Sequence, residues 1–255
     1  MNSLINENIF KLYSFLQKYS ISSDNNTVLT ISSYKEAINV DEIEKLARLL
    51  LPIKTYIFYM SGGSDGITLQ WNRDIFQYIK LLPKILIDVT KIDTSTYVFG
   101  QKIPIPLCIA PFSMQKMAHP NGELETAGAA KELNTIFILS TNSNTKLEEI
   151  PSDMCKWMQL YILKDREKSL NLLKKAEQSG FTGVVLTVDC TISSIRDKDM
   201  QVGFKIPKGI ELVNIEGFKK GKDNTNNSSQ MMEFFNKNMD SVFIIVNYSQ
   251  STGLF

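Results

Sequence analysis

The feature that most constrains this chain is a recurrence. Four short apolar runs, "IPLCIAP" (105–111), "TIFILST" (135–141), "KWMQLYI" (156–162) and "GVVLTVD" (183–189), come at near-regular intervals, and segments with helix signals separate them. Runs this short and this continuously apolar read as strands buried on both faces, as in parallel sheets with helical crossovers. Between the third and fourth, "DREKSLNLLKKAEQSG" runs from an N-cap aspartate through Leu170, Leu173 and Ala176 to a terminal glycine, and "TKLE" at 145–148 reads as a capping box. A strand–helix unit used about four times supports an open doubly wound sheet or a (βα)8 barrel. No glycine-rich fingerprint follows the first strand, which favours the barrel. A whole barrel takes about 250 residues, and the stretch from residue 105 onward accommodates half of one. The expected fold is therefore α/β: a partial (βα)8 barrel of about four units preceded by N-terminal helices.

Upstream, "NVDEIEKLARLLLP" has helical spacing and stops at Pro52, and Ile5, Ile9, Leu12, Phe15 and Leu16 share a helical stripe ahead of the polar linker "SISSDNNT". The expected organisation is an N-terminal extension over 1–37, one domain over 38–241 and a divergent tail over 242–255.

Charge and composition remove several classes. Lysine plus arginine is 28 against 27 acidic residues, so no global field draws the chain to nucleic acid or an anionic membrane. No run approaches the ~18 apolar residues of a membrane span, and the N-terminus lacks a signal-peptide core; an intracellular, soluble, cytoplasmic protein is expected. Cys108, Cys155 and Cys190 lie in or beside apolar strand-like runs. They read as buried structural thiols, with no metal set implied.

One stretch stands apart. "CIAPFSMQKMAHPNGE" (108–123) carries a strand end, then polar and sulfur residues around the chain's single histidine, then a helix start. Parallel barrels hold ligands at the C-terminal ends of their strands.

Together with "LLPKILIDVTKIDTSTYVFGQKIPIPL" before it, "MQLYILKDRE" and "GFTGVVLTVDC", this stretch resembles the FMN-dependent 2-hydroxy-acid oxidases, the glycolate oxidase group, from about residue 38 to about 241. The resemblance implies FMN as cofactor and oxidation of a small (S)-2-hydroxy acid to the 2-oxo acid, with oxygen as acceptor and hydrogen peroxide as product. It implies that Pro111, Phe112 and Ser113 lie against the flavin ring and that Ser140, Gln159 and Thr187 make polar contacts to its edge. It further implies that Tyr161 hydrogen-bonds the hydroxy acid, that Asp189 orients the catalytic histidine, and that Arg196 sits near the substrate carboxylate. A homo-oligomer is left open for full-length relatives, and peroxisomal import is expected only for a full-length form with a targeting tripeptide.

Departures from the family pattern are specific. Phe58, in "YIFYMSGGSDGITLQWN", stands where a substrate-binding tyrosine is usual; Asn142 stands where glycolate oxidases commonly have tryptophan; Cys190-Thr191 replaces a threonine–proline pair. His119 matches a family histidine outside the catalytic role. The family's catalytic histidine, carboxylate-binding arginine and flavin-side lysine come from later strands, so this chain is expected to be inactive alone. Two alternatives remain beside that reading: a non-catalytic or partner-binding half-barrel, and an FMN enzyme of related chemistry, of the lactate monooxygenase or isomerase type.

Overall fold

The computed structural model describes residues 37–188 and 194–215. The N-terminal stripe, Asp189, Cys190-Thr191 and the tail lie outside them. Two helices come first, α1 (Val40–Leu50) and α2 (Ile53–Met60). The Asn39 side chain caps α1 by accepting the Glu42 N–H at 2.9 Å, and Pro52, as foreseen, ends the helix and opens the next. Helix α3 (Ile67–Asp74) starts from Gly66 in the left-handed region. An antiparallel hairpin, β1 (Thr96–Val98) and β2 (Gln101–Ile103), precedes α4 (Glu123–Glu132), β3 (Phe137–Leu139), β4 (Lys156–Leu160), α5 (Arg166–Gln178), β5 (Gly183–Leu186) and the short α6 (Asp197–Gln201).

Strands β3, β4 and β5 form a parallel sheet in that order, with Leu139 beside Met158 and Leu160 beside Leu186. Side chains alternate across it. Phe137, Leu139, Met158 and Leu160 turn to a core shared with Ala127 and Ala130 of α4 and Leu172 and Ala176 of α5. Ile138 and Trp157 turn to the opposite face and pack with Ile103 of the hairpin. The second, third and fourth expected strands form within the runs 135–141, 156–162 and 183–189, and Asp165 caps α5 as expected by accepting the Lys168 N–H.

Three expectations need correction. The run 105–111 forms no full strand: it is reduced to a bridge in which the Ile109 N–H donates to Ile136 and the Ile138 N–H donates to Ile109. An apolar run states a preference for burial but cannot supply a neighbour on its far side. Cys108, in this run, is accordingly exposed rather than buried, and Cys155 is half-buried. The box at 145–148 is displaced by one residue, because the Thr145 hydroxyl is taken by Glu123 (2.7 Å) and it is the Glu149 carboxyl that accepts the Lys146 N–H (3.3 Å).

Glu123, the first residue of α4, is fully buried. Its Oε1 accepts the backbone N–H groups of Gln115 (3.2 Å) and Asn144 (3.0 Å), and its Oε2 accepts the Thr145 hydroxyl. One carboxyl thus joins the loop after the Ile109 bridge to the loop after β3.

Two stability predictions follow from this packing. A Cβ at Gly183 would meet the Trp157 indole at 2.7–2.9 Å, so Gly183→Ala should destabilise by about 1–3 kcal/mol through overpacking, read as a lower midpoint in thermal denaturation followed by circular dichroism. Glu123→Ala strands three donors and should cost about 3 kcal/mol or more, whereas Glu123→Gln, which keeps an acceptor oxygen, should cost clearly less; equal losses would show that the hydrogen bonds do not matter.

Candidate functional site

The alternation that sends Ile138 and Trp157 to one face places Ser140, Gln159, Tyr161 and Thr187 on that same face, at the C-terminal ends of β3, β4 and β5. Three of these four form a row. Gln159 is buried; its Oε1 accepts the Thr141 N–H at 2.9 Å, and its Nε2 donates to the Thr187 hydroxyl oxygen at 2.8 Å. The Thr141 hydroxyl donates to the Gln159 carbonyl. Ser140, also buried, accepts the Asn142 N–H at 3.1 Å. Tyr161, half-buried, follows directly on β4.

The segment Pro111–Ser113 reaches the same end of the sheet. Its successor Met114 has φ +56° and donates its N–H to the Asn142 carbonyl at 3.2 Å. Tyr59 of α2 donates its hydroxyl to the Met114 carbonyl at 2.8 Å, and its ring lies 4.8 Å from that of Phe112. Burial, with Glu123 nearby as the second cause, pushes the Tyr59 phenol well above its ordinary pKa, so it remains a donor throughout the accessible pH range.

The structure places Arg196 against Phe58. The guanidinium lies 4.8 Å from the Phe58 ring centroid, and its Nη2 donates to the Phe58 carbonyl, the Ser61 carbonyl (3.2 Å) and the Ser61 hydroxyl (2.7 Å). Its Nε lies 2.9 Å from Oδ2 of the fully buried Asp199, a charge contact without an aligned hydrogen bond, while Asp199 Oδ1 accepts the Ser61 hydroxyl at 2.6 Å. Burial lowers the Arg196 pKa and Asp199 opposes the shift, which leaves a guanidinium charged at any ordinary pH. Phe58 itself is buried and stacked on Phe204, with centroids 4.4 Å apart and planes 13° from parallel.

Sequence reasoning missed Glu123, Tyr59 and Asp199. Glu123 reads as a first-turn helix acid and Asp199 as one charge in the polar run "RDKD"; neither pattern announces full burial. The single histidine, His119, accepts the Asn121 N–H at Nδ1 (3.1 Å), and burial lowers its pKa. It shapes the turn into α4. Two acceptors in the loop after β3, Asn142 Oδ1 and Asn144 Oδ1, are buried without a hydrogen-bond partner, and natural proteins rarely leave such atoms empty without a reason.

Amide, hydroxyl and backbone groups at three adjacent strand ends form a neutral, directional set. It suits the nitrogens and carbonyls along one edge of a flat heteroaromatic ring better than a metal.

Comparison with known proteins agrees with this chemistry. Residues 47–247 match the FMN-dependent dehydrogenase family, a match that runs into the segment expected to diverge after residue 241. Glycolate oxidase 3 of Arabidopsis thaliana is 46% identical over 196 residues, which cover 76% of this chain and 53% of that protein. The 2-hydroxyacid oxidase of Dictyostelium discoideum is 44% identical over 178 residues, 69% of this chain and 46% of that protein. A soluble mutant of the membrane-associated (S)-mandelate dehydrogenase from Pseudomonas putida superposes with a TM-score of 0.70 at 33% identity, covering 82% of this chain and 59% of that one. Mandelate oxidase with (S)-4-hydroxymandelic acid superposes with a TM-score of 0.75 at 29% identity, covering 81% and 58%. The chain spans about half the length of the curated relatives it matches. With most of its sequence inside the family match and relatives above 40% identity, this chain belongs to the FMN-dependent dehydrogenase family.

Proposed function

We propose that this chain supplies the flavin-ring half of an FMN-dependent (S)-2-hydroxy-acid oxidase site, carried on a partial (βα)8 barrel. The observation that carries the reading is the row Ser140, Gln159 and Thr187 at three adjacent parallel strand ends, in a chain that matches an FMN-dependent family.

Bound FMN would accept the two electrons removed from the hydroxy acid and pass them to oxygen, giving peroxide. The residues of this chain bind and orient. Gln159, Thr187 and Ser140 would hold the edge of the ring by hydrogen bonds, and Pro111, Phe112 and Ser113, positioned by the Met114–Asn142 and Tyr59–Met114 hydrogen bonds, would lie against it. Tyr161 offers a phenol to the substrate hydroxyl, and Arg196 supplies positive charge on the carboxylate side. By its place in the family motif, Asp189 would serve to orient a histidine base. His119 is not that base, since its Nδ1 accepts a turn N–H. With one histidine in the chain, oxidation by this polypeptide alone is not expected, because a positioned base contributes about 10² to 10⁴ in rate.

Four outcomes test this. Barrels commonly bind phosphate with the loops after strands seven and eight, so the purified chain should elute from gel filtration without the flavin absorption bands; a yellow protein would refute the half-site. Joining residues 1–241 to the C-terminal half of a family member should restore flavin binding and peroxide production from glycolate or a longer 2-hydroxy acid. In that chimera Gln159→Leu should weaken FMN binding several-fold, as expected for a neutral hydrogen bond of about 1 kcal/mol. Phe58→Tyr should lower KM at least about tenfold by adding a donor to a charged group, worth about 1.5–3 kcal/mol. An unchanged KM would leave Phe58 as a packing partner of Phe204 only.

A further inference from the structure

The Arg196 guanidinium is held along one edge and open at one corner. In such a group Nε and Nη2 form the side edge, and Nη1 and Nη2 form the end. Nη2 donates to the Phe58 carbonyl, the Ser61 carbonyl (3.2 Å) and the Ser61 hydroxyl (2.7 Å), oxygens that outnumber its two hydrogens. Nε faces Oδ2 of Asp199 at 2.9 Å and is shut off from solvent. Nη1 differs on both counts. Among the described residues it meets no acceptor, and it is open to solvent where Nε is not. A ligand carboxylate therefore finds neither the side edge nor the end of the fork free for a bidentate contact. Nη1 is left to meet a single oxygen.

Asp199 fixes this orientation. Its side chain is fully buried, while that of Arg196 is 25% exposed. Its Oδ1 accepts the Ser61 hydroxyl at 2.6 Å. That hydroxyl has one hydrogen, which is spent on Asp199, so its oxygen is left to accept from Arg196 and the carboxylate reaches Nη2 through it. The same carboxylate reaches Nε directly as a charge. The backbone around this group is anchored separately. Asp199 lies on α6 and Ser61 ends α2, the Ser64 N–H donates to the Ile195 carbonyl at 2.8 Å, and a Cβ at Gly63 would collide with the Ser194 side chain. With the loop held by its own contacts, the carboxylate is free to set the direction of the guanidinium. The cation also stands close to the strand ends: it lies over Phe58, whose ring is 5.8 Å from that of Tyr59, which in turn is 4.8 Å from Phe112.

We propose that Asp199 is a positioning residue for the hydroxy-acid site: directly at Nε, and through the Ser61 hydroxyl at Nη2, it turns Arg196 so that Nη1 alone meets one oxygen of the ligand carboxylate. The proposal rests on the half-site reading above for its ligand, and its test separates the two. Orientation is read in the 255-residue chain itself, by NMR with isotopically labelled arginine. Separate Nη1 and Nη2 signals of Arg196, assigned by their loss in Arg196→Lys, report a guanidinium that does not rotate about Nε–Cζ. Asp199→Asn should merge them, Asp199→Glu should keep them apart, and Ser61→Ala, which retains the buried pair, should broaden them. Signals that stay separate in Asp199→Asn would overturn the positioning role; if that variant does not fold, unbroadened signals in Ser61→Ala would do so. The second reading is kinetic, in the chimera with a family C-terminal half. There Asp199→Asn should raise KM for glycolate at least about tenfold with kcat nearly unchanged, as for loss of a hydrogen bond to a charged group, and Asp199→Glu should recover part of the loss. Added to Arg196→Lys, Asp199→Asn should raise KM no further, because the two act as a unit; losses that add would reduce Asp199 to a structural residue. A chimera that binds no FMN, in a case where the Arg196 signals respond as stated, would refute the half-site and uphold the orientation by Asp199.

Discussion

The strand-end architecture depends on the buried carboxyl of Glu123. A buried acidic side chain is tolerable only when its oxygens are matched by donors, and here two backbone N–H groups and a hydroxyl come from loops separated along the chain. The carboxyl therefore does for these loops what a ladder does for strands. It holds the turn at Met114 against the loop after β3, and through that turn it places Phe112 under Tyr59. Desolvation makes the arrangement directional: each of these groups is worth more paired, and costs more unpaired, than on the surface.

A second tie works beside the first, in the cluster that Phe58 shares with Met114. Asp199 and Ser61 grip Arg196, and Arg196 grips the carbonyl of Phe58 and lies over its ring. The cation is thereby set on α2, close to the residue whose ring replaces a family tyrosine. If Arg196 and Phe58 act in the site, they act as a pair. A change at one alters the position of the other, and double-mutant effects at these positions should not add.

Much of this was legible in the amino-acid order, and the reasons are uneven. Strands β3, β4 and β5 were visible because fully buried parallel strands concentrate apolar residues, and α5 because its aspartate cap and terminal glycine bracket a periodic run. Ser140, Gln159 and Thr187 were reachable through the family motifs; the alternation of the strands then explains why they share a face. The run at 105–111 misled because Leu107 and Cys108 carry strand-like side chains but have no neighbour to bury them. Glu123 and Asp199 misled in the reverse sense. Charge in a sequence predicts solvent, and only tertiary donors reveal that these two are interior.

The Thr141 amide has one further effect. Because its N–H fixes Oε1 of Gln159 as an acceptor, the side-chain amide cannot turn over, and its Nε2 must point to Thr187. The hydroxyl oxygen of Thr187 is then occupied by an incoming hydrogen, and its own proton is turned onward, away from Gln159. A single peptide group thus sets the polarity of the whole row, as one oriented dipole sets the next along a chain. An acceptor atom that comes to rest beyond Thr187 is met by a proton, and a ligand that offers its own hydrogen has one remaining lone pair of the hydroxyl to meet instead of two.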